Sequence, residues 1–205
     1  MATDRIIIIG FGGHGKSVLD SIERSGQYEI AGYVDAEKKD SKYAYLGNDD
    51  ALPELYDSGI PYAALGAGCV TDCTLRDRLI HSAKEAGFAF PMIIDPDVSI
   101  ARDVSIGEGT FVGKRAVVNA GSVVGEYCII NTGAIIEHDN RIADFSHISV
   151  GAILCGDVSV GEHTLIGAGA TVIQGRRIGN HCIIGAGSLV LRDLADGEKV
   201  TGVVK

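Results

Sequence analysis

An aliphatic residue returns at every sixth position through the second half of the chain, and this period constrains the fold more than any other feature. The series has sixteen members without a slip: Ile100, Ile106, Val112, Val118, Val124, Ile130, Ile136, Ile142, Ile148, Leu154, Val160, Ile166, Val172, Ile178, Ile184 and Val190. Four positions after each stands mostly a small side chain, and glycine often follows the aliphatic residue directly. The pattern predicts a left-handed parallel β-helix of roughly five three-sided coils, with the aliphatic residue pointing inward and the small one at the corner.

Some residues at the corner position of this repeat are not small. Val104 and Val158 are merely larger than usual, whereas Asn140 and Arg176 are polar. Departures from a repeat often mark function, so we expect a local distortion or a functional role at each polar exception. Arg176 lies in a stretch, residues 174–177, that we expect to bulge outward.

The first 93 residues have a different organisation. Strand-like segments at 5–9, 28–34 and 62–65 alternate with helix-like segments at 15–25 and 71–86. The helical spacing places Val18, Leu19 and Ile22 on one face, and Leu75, Leu79 and Ile80 on another. This order predicts a Rossmann-like βαβαβ domain, about half of a dinucleotide-binding fold. We therefore expect two domains, an α/β domain at 1–93 and an all-β β-helix at 94–205.

A glycine-rich segment opens the first helix-like segment. Residues 10–15, the glycine loop, read Gly10-Phe11-Gly12-Gly13-His14-Gly15 and match the GxGxxG pattern directly after a strand. Glycines let the backbone approach a pyrophosphate, whose charge lies at the positive end of the helix. Asp35 ends the second strand, where an acidic residue would hold a ribose hydroxyl, and His14 and Lys16 could reach phosphate or sugar. The alternative is that the glycines only form a tight turn.

Charge and cysteine content narrow the class of partner. A formal net charge of -9 disfavours nucleic acid and anionic membranes as partners. No run approaches the roughly 20 apolar residues of a membrane span. The five cysteines are odd in number and form no CxxC pair, which favours reduced thiols and a cytoplasmic location.

His138 differs from the other histidines because its hexad contains five consecutive polar residues, Glu137-His138-Asp139-Asn140-Arg141. Imidazole beside a carboxylate is suited to act as a general base. His163 and His181 lie one coil apart, so we expect them to stack at one corner. Catalytic zinc usually needs three convergent ligands, as in the γ-type carbonic anhydrases, and the histidine spacings include no close pair of the kind found there. We predict no metal.

Over nearly its whole length the chain resembles the bacterial sugar acetyltransferases that join a nucleotide-binding domain to a hexapeptide β-helix. These include N-acetyltransferases of nucleotide-linked 4-amino-sugars and sialic-acid O-acetyltransferases. The resemblance rests on Gly12-Gly13-His14-Gly15-Lys16, Asn131-Thr132, Glu137-His138 and Phe145-Ser146-His147-Ile148-Ser149-Val150-Gly151. Asp95-Pro96 departs from it, because the family often has His-Pro there.

The resemblance implies a role for each matching residue. His138 would be the general base with Glu137 oriented against it, and Asn131 and His147 would place the acetyl-CoA thioester or its pantetheine arm. The glycine loop with His14 and Asp35 would hold the uridine nucleotide of a sugar substrate. Ala168 and Ala186 would line the coenzyme groove. Family members are trimers, which implies a homotrimer with each active site between two prisms.

Three functions remain open at this point. The first is transfer of acetyl from acetyl-CoA to the amine of a nucleotide-linked, UDP-type 4-amino-sugar. The second is O-acetylation of sialic acid or a related sugar, for which His138 would serve equally. The third is a non-catalytic nucleotide-sugar scaffold, which gives no reason for the polar turn around His138. Direct transfer needs no acyl-enzyme, so Cys155 is expected to be a small packing residue.

Overall fold

The computed structural model describes residues 3–70 and 72–205. The chain divides into two compact units, one ending at Ile93 and one running from Ile94 to Lys205. No helix in the described part of the chain has the length and apolar character of a membrane span.

The first unit is a small parallel α/β fold. Its sheet has the order β2-β1-β3, with β1 at Arg5–Ile9, β2 at Glu29–Val34 and β3 at Tyr62–Leu65. Helices α1 at Gly13–Ser25, α2 at Leu52–Asp57 and α3 at Thr74–Ala86 accompany it, with a 3-10 turn at Asp49–Ala51. The central strand β1 has four fully buried isoleucines, as a parallel strand covered on both faces requires.

The predicted order of elements is confirmed, with differences at the edges. Helix α1 begins at Gly13, two residues before the predicted start, and α3 begins at Thr74. The predicted start of α3, Thr71, lies outside the described residues. Helix α2 was not predicted, because Leu52–Asp57 is too short for its spacing to show. Leu75 was expected on the buried face of α3 but is 55% exposed.

The second unit is a parallel β-helix built from two-residue strands on three faces. The first face carries Ile93–Ile94, Phe111–Val112, Ile129–Ile130, His147–Ile148, Leu165–Ile166, Ile183–Ile184 and Lys199–Val200. The second carries Ser99–Ile100, Val117–Val118, Ile135–Ile136, Ile153–Leu154, Thr171–Val172, Leu189–Val190 and Val203–Val204. The third carries Ser105–Ile106, Val123–Val124, Arg141–Ile142, Ser159–Val160 and Arg177–Ile178.

The six-residue period explains this architecture. Each of the sixteen aliphatic residues ends one strand, and all except Ile100 and Ile106 are buried in the shared core. Successive coils pair in register, as when Ile136 lies opposite Val118 on one side and Leu154 on the other. The estimate of about five coils was low, because the first two faces each hold seven strands.

Arg176 does not cause the bulge that we expected. Gly175 N–H donates to the Gly156 carbonyl at 3.0 Å, and Ser159 N–H donates to the Arg176 carbonyl at 3.0 Å, so the turn stays in register. The side chain instead turns outward, with its guanidinium 3.5 Å from Asp193. This is possible because Arg177–Ile178 is the last strand of the third face.

One corner carries a ladder of four stacked rings. Tyr127 and Phe145 have centroids 5.4 Å apart, Phe145 and His163 4.7 Å, and His163 and His181 5.2 Å. The expected stacking of the two histidines is therefore confirmed, and two aromatic rings extend it. Repetition every 18 residues places such side chains directly above one another.

The cysteines differ in part from expectation. Cys69 and Cys73 form a disulfide, with Cα atoms 5.1 Å apart, so the prediction of reduced thiols is wrong for this pair. A separation of that size is normal for a disulfide. Cys128 and Cys182 are buried and Cys155 is half-buried, and none of the three is in a disulfide.

Candidate active site

The glycine loop packs too tightly for side chains at some of its positions. A Cβ atom at Gly15 would overlap the carbonyl oxygen of Gly10, and one at Gly66, at the end of β3, would overlap the same oxygen. Gly10 itself has φ 88°, a conformation that favours glycine. These three glycines are therefore required by close backbone packing.

Gly12 and Gly13 are different, because a Cβ atom there would meet no atom within 4 Å. Both line a cavity of about 420 Å³ in the first unit. Its lining is Gly10, Phe11, Gly12, Gly13, His14, Val34, Asp35, Ala36, Asp49, Gly66, Ala67, Gly68, Leu75, Arg78 and Leu79. The cavity thus includes most of the predicted nucleotide residues, whereas Gly15 lies buried beneath the loop and Lys16 is exposed outside the lining.

Asp35 is hydrogen-bonded to the glycine loop. Its carboxylate accepts hydrogen bonds from the Phe11 N–H at 2.7 Å and the Glu37 N–H at 3.4 Å, and Lys39 lies 3.5 Å away. Burial acts to raise the pKa of Asp35, but these hydrogen bonds and the lysine outweigh it and hold the pKa below its usual value. The ionised side chain therefore anchors the loop, a role additional to the predicted contact with a ribose.

The residues of the far wall of this cavity were not predicted from the sequence. Leu75, Leu79 and Arg78 on α3 contribute to it, and Arg78 forms an ion pair with Asp49 at 3.2 Å. The one available sign was Leu75, an apolar residue whose helical spacing we assigned to the core. Its exposure is explained by its position at the cavity.

His138 lies in the turn between the second and third faces, residues 137–140, which we call the polar turn. Its Nδ1 lies 2.8 Å from the Asp139 carboxylate. That hydrogen bond raises the pKa of His138 above its usual value; slight desolvation opposes it, and the charges of Glu137 and Asp157 add to it. The resemblance implied that Glu137 is oriented against the ring, whereas the hydrogen bond to the ring is made by Asp139. Asp139 has a left-handed backbone, φ 62°, at this point of the turn.

The other side of the imidazole lies over Gly156, one coil further along. A Cβ atom at Gly156 would come within 2.5 Å of His138 Nε2. The ring borders an open cavity of about 560 Å³, lined by Glu137, His138, Cys155, Gly156, Asp157, Gln174 and Gly175. The edge of the ring that carries Nε2 therefore lies over Gly156, a residue that lines this cavity.

The predicted coenzyme residues lie at another corner. Asn131 Nδ2 is 3.2 Å from His147 Nε2, so the structure brings these two together beside the first face. Ala168 and Ala186 are exposed at the corner between the first and second faces, where Asn131 also lies. His138 is at the next corner, so one prism does not bring the predicted base and coenzyme residues together. Among residues 3–70 and 72–205, no cluster of histidine, cysteine and acidic side chains could hold a metal ion.

Comparisons with known proteins match both units. Residues 5–82 match the PglD N-terminal domain, and residues 103–138 and 157–192 match the bacterial transferase hexapeptide (six repeats). No curated protein matches the chain.

Solved structures match nearly the whole chain. The acetyltransferase domain of PglB from Neisseria gonorrhoeae, in complex with acetyl coenzyme A, is 33% identical, with a TM-score of 0.88 over 98% of this chain and 97% of that one. PerB from Caulobacter crescentus, in complex with CoA and GDP-perosamine, is 36% identical, with a TM-score of 0.89 over 98% of this chain and 95% of that one.

Proposed function

Because this chain belongs to the hexapeptide-repeat sugar acetyltransferases with a PglD-type N-terminal domain, we propose that it acetylates the amine of a nucleotide-linked 4-amino-sugar, with acetyl-CoA as donor. The observation that carries the proposal is the His138 imidazole. Asp139 holds one of its nitrogens at 2.8 Å, and the other lies over Gly156, which lines the open cavity.

In the proposed reaction His138 is the general base. With Nδ1–H donated to Asp139, Nε2 carries the lone pair that accepts a proton as the sugar amine attacks the thioester carbon. The carbon–sulfur bond then breaks, and the proton passes to the departing CoA thiolate. Glu137 contributes its negative charge near the imidazolium rather than a direct hydrogen bond. No acyl-enzyme is required, and Cys155 stays a half-buried neighbour of the cavity.

The Gly156 N–H is the backbone group suited to stabilise the oxyanion. The Cys155 carbonyl accepts a hydrogen bond from the buried Asn140 side chain at 3.1 Å, so it points into the prism. In a trans peptide the following N–H points the opposite way, out toward the space beside His138. A fixed donor at that position matches the requirement of an oxyanion hole.

We propose that the protein is a homotrimer with its second face at the subunit interface. The outward residues of that face include Val117, Ile135, Ile153 and Leu189, whereas four of the five on the third face are serine or arginine. Three prisms packed through the second face bring the His138 corner of one toward the Asn131 corner of the next. This arrangement supplies a reason why the two sets of residues occupy different corners of one chain.

The glycine loop and its cavity are proposed to take the nucleotide, with the pyrophosphate at the start of α1. Uridine is the base we propose, and guanosine is the comparison, because PerB was solved with GDP-perosamine. We also place the protein in the cytoplasm, which is supported by the three cysteines of the β-helix, none of them in a disulfide. The Cys69–Cys73 disulfide does not follow from that location.

Two glycine substitutions separate nucleotide binding from loop packing. Gly13→Val adds a side chain at a position that lines the cavity and where a Cβ atom meets no protein atom within 4 Å, so we expect UDP affinity to fall about tenfold or more, with little change in melting temperature. Gly15→Ala overlaps the Gly10 carbonyl, so it should cost roughly 1–3 kcal/mol of stability. Calorimetric titration and thermal unfolding measure both. Unchanged affinity of Gly13→Val for both UDP and GDP would remove the cavity as the nucleotide site.

Asp139→Asn should change the pH dependence of turnover. A base acts in its neutral form, so activity rises with pH through the pKa of His138, which Asp139 holds above the usual value of about 6.5. Removing that charge lowers the pKa, and the acidic limb of kcat/KM should move to lower pH. Asp103→Asn, two coils away at the same corner, is the control and should leave the profile in place. An unmoved limb in Asp139→Asn contradicts the assignment.

The acceptor distinguishes the proposal from its two alternatives. We expect free thiol to appear with a nucleotide-linked 4-amino-sugar and not with the matching 4-hydroxy sugar or free sialic acid. Turnover of hydroxyl acceptors alone would establish O-acetylation. Binding of the nucleotide sugar without thiol release from any acceptor would support the scaffold.

A further inference from the structure

Asn140 is fully buried at a corner of the prism where the repeat otherwise places small residues. It ends the polar turn that carries His138. A buried amide needs partners for both its oxygen and its two N–H groups, because unsatisfied polar groups in a core are costly. The partners of Asn140 therefore show what this departure from the repeat does.

Hydroxyl residues at equivalent positions make a fixed pair of hydrogen bonds. Thr164 Oγ1 donates to the carbonyl of Gly179, fifteen residues on, at 2.7 Å and accepts from the Cys182 N–H, eighteen residues on, at 3.0 Å. Asn140 makes the same pair with its amide. Nδ2 donates to the Cys155 carbonyl at 3.1 Å, and Oδ1 accepts from the Val158 N–H at 3.2 Å.

Asn140 adds one bond to this pattern, to the Glu137 carbonyl, while its longer contact with the His138 carbonyl has a counterpart in Thr164 Oγ1, which lies 3.4 Å from the Glu162 carbonyl. Its Nδ2 lies 2.6 Å from the Glu137 carbonyl and 3.4 Å from the His138 carbonyl, both within its own turn. A hydroxyl has a single hydrogen, already used for the next coil, whereas an amide has two. One side chain thus joins the backbone that carries His138 to the backbone that precedes Gly156.

We propose that Asn140 is a positioning residue that fixes the catalytic imidazole of His138 relative to the Gly156 N–H. The inference rests on the acetyl transfer proposed above, for which these two groups would be the base and the oxyanion donor. The amide adds a buried side-chain link between these two turns to the main-chain bond that the Asp157 N–H donates to the His138 carbonyl at 2.9 Å. The rate of a reaction falls steeply when preorganised catalytic groups of this kind are displaced.

Asn140→Ser isolates this role from packing. A serine keeps the two bonds to Cys155 and Val158 that hydroxyls at equivalent positions make, and it loses the short bond to the Glu137 carbonyl. We expect kcat to fall about 10- to 100-fold, with KM for acetyl-CoA within about twofold of the parent value. Thr164→Ala is the control, because it removes a hydroxyl that bonds to the next coil at another corner of the prism. It should lower the melting temperature and leave kcat unchanged.

A second readout does not depend on turnover. The ring of His138 is titrated by NMR in the parent protein and in both variants, with Asp139, Glu137 and Asp157 as the charged groups around it. In Asn140→Ser the His138–Asp139 pair is held less firmly, so the pKa of His138 should fall toward its ordinary value, and in Thr164→Ala it should not move. If the serine variant does not fold, Asn140→Cys replaces it, because Cys128 and Cys182 occupy equivalent corner positions and bond to carbonyls of the next coil.

The two readouts separate failure of the inference from failure of the proposed reaction. If the parent protein shows no acetyl transfer, the proposed function fails, while the titration still tests the positioning role. A His138 pKa in the Asn140 variant equal to that of the parent overturns the inference. If the parent enzyme is active, an Asn140 variant with the same kcat as the parent also overturns the inference.

Discussion

Replacing His138 by alanine should lower acetyl-CoA turnover by about 10²- to 10⁴-fold, the usual loss when a general base is removed. The imidazole is the one group described here that combines a basic nitrogen at the cavity with a carboxylate at 2.8 Å on its other nitrogen. Its side chain is 62% exposed, so its removal should leave the melting temperature unchanged. Initial rates of thiol release at saturating substrates measure the effect.

His181→Ala is the matched control for this substitution. It removes another exposed histidine, which lies on the ring ladder of a different corner. We expect its kcat to stay within about twofold of the parent value. A loss under about threefold in His138→Ala would remove this residue from the mechanism, because general bases contribute far more than that.

Ile153→Asp should separate the subunits and abolish activity together. Ile153 points outward from the centre of the second face, between Ile135 and Thr171, and a charge buried there in each subunit would have no partner. The expected species is a monomer by light scattering. Its turnover should fall by at least about 100-fold, since base and coenzyme residues then lie on separate molecules.

Ser159→Asp provides the comparison on the third face. Ser159 also points outward from a strand, between Arg141 and Arg177, so an aspartate there meets favourable charges. This variant should keep the mass and activity of the parent. A fully active monomer from Ile153→Asp would show that each prism contains a complete site and would end the proposal of shared sites.

The β-helix could be predicted in detail because one local rule sets it. An aliphatic residue every six positions has only one way to bury all its members, and the strands end at those residues throughout. At the two polar corner residues, Asn140 and Arg176, the position of the side chain depends on contacts with later parts of the chain, which the local pattern does not show. Asn140 stays inside because three carbonyls and one N–H bond to it there, whereas the Arg176 side chain turns outward and lies 3.5 Å from Asp193.

The site was predictable in its residue types and less so in its pairings. The polar turn identified His138, but the sequence does not distinguish the adjacent carboxylates at 137 and 139, and in the folded turn Asp139 makes the hydrogen bond to the ring. In the same way GxGxxG identified the glycine loop without separating Gly13, which faces the cavity, from Gly15, which the packing requires. Leu75 and Arg78 were missed because a helix face can be apolar at a cavity as well as in a core.

The most direct test is thiol release from acetyl-CoA with UDP- and GDP-linked 4-amino-sugars, followed by mass analysis of the acceptor. We expect release of free thiol that depends on the acceptor, with one acetyl group added to the sugar amine for each thiol released. No acetylated amine from any nucleotide-linked sugar, by a protein that demonstrably binds both acetyl-CoA and nucleotide, would contradict it.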